Sequence, residues 1–374
     1  MLVFEGAELY APEYLGPRDV LVAGGQILEI AEAGSLEGHP GQHIDLRGQL
    51  IFPGLVDILT HPCGGGGEGG FGNRTDELSA EHFIQAGVTA PVGALGTDSI
   101  GRSLEVLYGN IMGLRSAGLR AYMYSGAYRV PVPTLTGDSA KDLYLIDPVI
   151  GIGEVAVADH RGTQPTAQEL RRIAAETQLG GILAGQGGVV LVHVGDGASR
   201  LALLREAIDD CDLPESTLFP THVNRSRPLL DEAAEWAMRG GFVDITVSTT
   251  PELIAAGDVP AVEALTHLLE AGAPSSQITL SSDAGGSLPV YVDGVLKGLT
   301  AAMPSSLTAL LFELLADNDE LFPIALAGMT SNAARALNLE HRATLSEGAA
   351  ADFVAADIGR KALTAVYGGG RKLL

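Results

Sequence analysis

Six residues able to do chemistry sit in or just beyond short apolar runs: His61, Tyr128, Glu154, His193, His222 and Asp283. Taken singly, a histidine beside apolar residues is more often a hydrogen-bonded core group than a ligand. Glu154 is different, because a carboxylate inside the apolar run PVIGIGEVAVAD is costly to bury unless it is paired or bound to a metal. Together, three imidazoles and two carboxylates, each on a different run, make a donor set suited to Zn²⁺ and its first-row relatives.

The elements that must position these residues are short and regularly spaced. Eight apolar runs (GLVDILTH, TAPVGALG, RAYMYSGAY, PVIGIGEVAVAD, GGVVLVHVGD, STLFPTHVNR, FVDITVS and QITLSSDAGG) alternate with segments whose apolar residues recur at helical spacing. Several of those segments stop at glycine, as helix C-termini do. Continuously apolar strands separated by helices indicate a parallel sheet covered by helices. Eight repeats favour a closed (β/α)₈ TIM-type barrel in an α/β protein, with chemistry at the carboxyl ends of the strands. The termini differ. MLVFEGAELY, DVLVAGGQILEIA and HIDLRGQLIFP, with ADFVAADIG and ALTAVYGGGRKLL at the far end, read as short strands and hairpins. The expected division is a small β-sandwich from residues 1–52 and 340–374, and a barrel over 53–339.

Composition narrows the class. There are 23 Lys+Arg against 46 Asp+Glu, a formal net charge of -23, which argues against nucleic-acid or anionic-membrane partners. Two cysteines, Cys63 and Cys211, do not make a disulfide framework and favour a reducing compartment. The opening residues lack a basic segment followed by an apolar one, so no signal peptide is expected. No apolar stretch reaches the ~20 residues that span a bilayer. A cytoplasmic protein is expected. The stretch GGGGEGGFG lacks the Gly-Lys-Ser/Thr ending of a phosphate loop and reads better as a mobile loop over a substrate.

On GLVDILTHPCGGGGEGG, AGVTAPVGALGTDSIGR, SGAYRVP, DPVIG with ADHR, PTHVNR and LSSDAGGS, the sequence resembles the amidohydrolase superfamily, and within it the isoaspartyl (β-aspartyl) dipeptidases. The resemblance covers nearly the whole chain. It implies the same barrel with a small β-sandwich, a zinc-type site of one or two divalent ions held by His61, Glu154, His193, His222 and Asp283, and a homo-oligomer acting on a small dipeptide. It implies Asp283 as general base and then acid, and Tyr128 as the group that polarises the scissile carbonyl. It assigns the substrate ammonium to Glu68, its carboxylates to Arg161 and Arg225, and smaller polar contacts to Thr97 and Ser287.

Two positions depart from the family. Its first strand carries His-x-His, where this chain has Leu59-Thr60-His61, and leucine cannot bind a metal. Its fourth strand carries a carbamylated lysine, where this chain has Glu154, with one residue inserted upstream. A glutamate in a similar Gly-Glu-Val setting serves adenine deaminases. Cys63 and His160 are near enough in sequence to compensate for Leu59, although ordinary loop roles suit both better. Two further readings stand beside the dipeptidase: an amidohydrolase of altered specificity, for N-acyl amino acids or cyclic amides, and a binding paralogue impaired by Leu59.

Overall fold

The computed structural model describes residues 1–292, 295–317, 320–339 and 343–374; the expected boundary at residue 340 lies outside them. The first five strands are β1 (Leu2–Tyr10), β2 (Tyr14–Ala23), β3 (Gln26–Glu32), β4 (Gln42–Asp45) and β5 (Leu50–Pro53). Gly24 and Gly25, with φ of 61° and 82°, close the β2–β3 hairpin, a turn that needs two left-handed residues.

Eight parallel strands follow, one in each expected apolar run: β6 (Leu55–Thr60), β7 (Val88–Gly93), β8 (Tyr122–Ser125), β9 (Val149–Val157), β10 (Val189–Val194), β11 (Leu218–Thr221), β12 (Val243–Thr246) and β13 (Ile278–Ser281). Strands β6 to β11 pair in chain order as one curled parallel sheet, and β12 and β13 form a parallel pair. Two seams bring the pair beside the sheet. Thr60 bridges to Ala284, with the His61 N–H donating to the Ala284 carbonyl at 2.6 Å. The Asn224 amide spans the other seam, donating to the Thr246 carbonyl and accepting from its N–H, both at 3.0 Å. Every residue of β6 to β11 is buried, which is why these runs carry no polar alternation. Connecting helices include Leu104–Ser116, Ala167–Ala184, Arg227–Met238 and Ala261–Glu270, and glycines with φ between 76° and 105° (Gly118, Gly185, Gly240 and Gly272) end them.

After β13 the chain makes an antiparallel hairpin that the sequence reading did not anticipate, β14 (Ser287–Val292) with β15 (Val295–Ala301). It then returns to the first sheet as β16 (Phe353–Asp357), β17 (Ala362–Gly368) and β18 (Arg371–Lys372). Strands β1–β5 and β16–β18, from the two ends of the chain, pair in one eight-stranded hydrogen-bonded sheet. The sheet rolls, because Gln26 at its far edge bridges to Ala350 just before β16. Its inner face closes on Phe4, Phe353 and Tyr367, with ring centroids 4.7–5.0 Å apart. Arg120 and Asp352 form an ion pair between the rolled sheet and the curled one.

Candidate active site

The chemistry gathers at the carboxyl ends of the parallel strands, and the backbone shows how. In β9, Ile152 and Val155 stand opposite Val190 and Val192, so two residues of β9, Gly153 and Glu154, stand against one of β10, Leu191. The surplus residue is a bulge at Gly153–Glu154, and bulges re-aim side chains. Gly153 is required there, since a Cβ would lie 2.8 Å from Leu191 Cβ. His222 and Asp283 follow their strands with φ of 61° and 53°. Such left-handed positions are uncommon for residues other than glycine and cluster at functional sites.

Glu154 is the hub. Its Oε2 lies 3.3 Å from His193 Nδ1 and 3.5 Å from His222 Nε2, and its Oε1 lies 3.5 Å from His61 Nε2. His61 Nε2 is also 3.0 Å from Asp283 Oδ1. All four of Glu154, His61, His193 and His222 are buried, and Asp283 is partly exposed. Burial alone would raise the Glu154 pKa. Hydrogen bonds to His193 and His222, with the charges of His193 and His61, outweigh it and hold the carboxyl well below the usual range. Burial pulls the His61 imidazole down, but the hydrogen bond and charge of Asp283 and the charge of Glu154 raise it to about 9. His222 goes the other way, to about 4, through burial and the neighbouring His193 and Arg225 charges.

The donor set is suited to a metal. One ligand atom from each of Glu154, His193 and His222 lies within 4.8 Å of the others, all three residues are buried, and two imidazoles with a carboxylate are a zinc-type ligand set that leaves a coordination position open. The far nitrogens are anchored as metal-binding imidazoles require: His193 Nε2 is 2.9 Å from Asp159 Oδ2, and His222 Nδ1 is 2.6 Å from Thr246 Oγ1.

Sequence reasoning did not single out Asp159 or Thr246. Asp159 stands two residues before Arg161, in ADHR, and it also takes Arg161 in a forked pair through Nε at 3.0 Å and Nη2 at 2.6 Å. It missed a lower tier as well. Asp57 accepts from the N–H (3.0 Å) and hydroxyl of Ser282, and Asp244 accepts from Thr221, Thr279 and Ser281 at 2.7–2.8 Å. These carboxylates brace the residues next to Asp283 and His222. Burial pushes their pKa values up to about 7 and about 6.

The remaining expected residues surround the hub. Tyr128, its pKa pushed well up by burial and the Glu154 charge, places its hydroxyl 2.7 Å from His193 Nδ1. Arg161 Nη1 is 3.1 Å from Glu68 Oε1, and the Thr97 hydroxyl donates to that oxygen at 3.0 Å. Glu68 Oε2 is buried without a hydrogen-bond partner among the described residues. Arg225 and Ser287 line the same cavity as Tyr128, Glu154 and Asp283. Cys63 and His160 are not brought to the hub. Cys63 packs in an apolar cluster that pushes its thiol up to about 11, and the His160 side chain is 84% exposed. The cavity over the hub is about 50 Å³, and a cleft of about 440 Å³ adjoins it through Gly66 and Thr97, walled by Glu68, Phe71 and Ile100. A larger space of about 600 Å³ lies far from this chemistry, beside Arg120 and Asp352, with no ligand cluster among the described residues.

Residues 50–372 match the amidohydrolase family. The chain belongs to that family. Its members share a TIM-type barrel, in agreement with the curled parallel sheet. Among solved structures, β-aspartyl dipeptidase from the thermophilic keratin-degrading Fervidobacterium islandicum AW-1, in complex with a β-Asp-Leu dipeptide, is 37% identical with a TM-score of 0.90, over 100% of this chain and 96% of that one. A second structure of β-aspartyl dipeptidase from that organism is 35% identical with a TM-score of 0.89, over the same shares. A stretch of 63 residues, 16% of this chain, is 40% identical to adenine deaminase 3 of Rhizobium johnstonii and spans only 10% of that protein. On these relationships the amidohydrolase is a hydrolytic, dipeptidase-like enzyme. Among its described residues, no helix is long and apolar enough to cross a membrane.

Proposed function

We propose that this amidohydrolase is a zinc-type metal-dependent dipeptidase that cleaves the isopeptide bond of β-aspartyl dipeptides. One observation carries the reading: a buried Glu154/His193/His222 ligand set lies beside a cavity lined by a guanidinium, Arg225, and the cleft that adjoins this cavity is walled by an acid, Glu68, two groups matched to the ends of such a substrate. The curled sheet and the β12–β13 pair are taken as a closed (β/α)₈ barrel, with residues 1–52 and 340–374 as a small β domain. Homo-oligomeric assembly and a cytoplasmic setting belong to the same reading.

Glu154, His193 Nδ1 and His222 Nε2 would hold the ion. A divalent ion held by them would supply a water acidified toward neutral pH and a Lewis acid for the scissile carbonyl. Asp283, partly exposed at the rim, takes the proton of the attacking water and returns it to the leaving amine. The Tyr128 phenol, protonated across the working range, donates to the oxyanion as it develops.

The ammonium meets Glu68, whose Oε2 lacks a hydrogen-bond partner among the described residues. A carboxylate meets the Arg225 guanidinium, which lines the cavity and has no side-chain hydrogen bond or ion pair among the described residues. Arg161, already shared between Asp159 and Glu68, contributes its charge and holds Glu68 in place. Thr97 and Ser287 supply smaller contacts. Because about 50 Å³ over the hub holds little more than the reacting atoms, the rest of the substrate lies in the adjoining cleft.

Leu59 favours a second reading, an amidohydrolase of altered specificity acting on N-acyl amino acids or cyclic amides. Zinc-loaded protein assayed on β-Asp-Leu, α-Asp-Leu, N-acetyl-leucine and a hydantoin decides between them. Preference for β-Asp-Leu is expected; turnover of only the acyl or cyclic amides would replace the first reading with the second.

A further inference from the structure

Building on the metal-dependent reading, we propose that the chain holds one divalent ion, between Glu154, His193 and His222, and that His61 does not ligate a second ion but positions Asp283. The two oxygens of Glu154 have unequal surroundings. At Oε2, two imidazole nitrogens converge, each anchored from behind by Asp159 or Thr246. At Oε1 the only imidazole among the described residues is His61, and its Nε2 is closer to Asp283, at 3.0 Å, than to Glu154, at 3.5 Å. Its Nδ1 is 3.1 Å from the Ala94 carbonyl, so both ring nitrogens face oxygen acceptors.

The neighbourhood of His61 has been filled with hydrocarbon and backbone. Residues two apart on a strand share a face, so Leu59 occupies the side of β6 that leads to His61. It is fully buried, in an apolar cluster with Val92, Tyr124, Leu191 and Phe219. Three glycines then press on the His61–Asp283 pair. A Cβ at Gly96 would lie 2.9 Å from the His61 ring, one at Gly285 3.2 Å from His61 Cβ, and one at Gly286 2.7 Å from Asp283 Oδ1. Packing this close serves a fixed hydrogen bond. It does not provide the open shell of oxygen and nitrogen donors that a further cation with its water needs. Held this way, the Asp283 carboxylate is oriented for proton transfer, and that is the task left to His61.

The test is elemental analysis of protein stripped with chelator, reloaded with excess Zn²⁺ and desalted, with circular dichroism confirming the fold. One zinc per chain is expected for the parent and for His61→Asn, none for His222→Asn, and a rise toward two for Leu59→His. His61→Asn should also lower kcat ~10–100-fold with KM unchanged, as loss of a supporting hydrogen bond does. Two zinc ions in the parent and one in His61→Asn would overturn the inference and leave the metal-dependent reading standing. A folded His61→Asn protein without zinc would overturn it too, by making His61 a ligand of the single ion. Leu59→His fixed at one ion would count against the leucine as the excluding group. No zinc in the parent would remove the metal-dependent reading itself.

Discussion

Glu154 divides the site into two halves that look alike on paper and differ in construction. On the Oε2 side, His193 and His222 each have a second hydrogen-bond partner that fixes the ring, and the donors meet within reach of one another. On the Oε1 side, His61 and Asp283 pair with each other while leucine fills the approach from β6. The comparison teaches that a metal site is more than a set of ligand types. The Oε2 side has a supporting shell of Asp159 and Thr246, and Asp244 braces its strand ends through Thr221. The Oε1 side has its own brace, Asp57 through Ser282, and that brace serves a carboxylate that handles protons.

If the halves differ in this way, variants should separate them. His222→Ala, which strikes the ligand half, is expected to lose bound metal and to reduce turnover of β-Asp-Leu to the level of chelated protein, measured by elemental analysis and steady-state kinetics. Retained metal with normal turnover would erase the distinction between the halves. Asp283→Asn strikes the proton-handling half. It should lower kcat by ~10²–10⁴-fold, the usual worth of a positioned acid-base group, while metal content and melting temperature stay near the parent values.

Asp159→Asn tests the support of the ligand half. It should weaken zinc affinity ~10–100-fold, with a smaller change in kcat for the fully loaded protein. Asp57→Asn tests the brace beneath the other half, through pH. The folded-state pKa of Asp57 is raised to about 7 by burial, above its ordinary 3.8. The stability this group contributes is therefore fully present below its unfolded pKa and is lost as pH rises through 7. Between pH 8 and pH 5 the parent should gain ~2 kcal/mol relative to Asp57→Asn in urea unfolding, and a difference that does not change with pH would contradict it.

Much of this site was legible because its residues break local rules. Glu154 is conspicuous in PVIGIGEVAVAD, since a lone carboxylate in a buried strand needs a reason. The same argument applied to GLVDILTH and FVDITVS would have found Asp57 and Asp244, the clearest omissions of the sequence reading. Asp159 and Thr246 were harder to see, because their contribution is a hydrogen bond across strands whose geometry the spacing does not reveal. The eight parallel strands were legible from unbroken apolar runs. The hairpin of β14 and β15 was not, since it lies past the last of those runs. The rolling of the terminal sheet was not legible either, because a strand pattern tells which residues face inward but not whether one sheet or two enclose them.

The central claim is that Glu154, His193 and His222 share one cation, and anomalous scattering from a zinc-loaded crystal tests it most directly. A single strong peak is predicted within ~2.0–2.2 Å of a Glu154 oxygen, His193 Nδ1 and His222 Nε2. A map with no peak among those three side chains, or with its zinc bound elsewhere on the chain, would contradict the account.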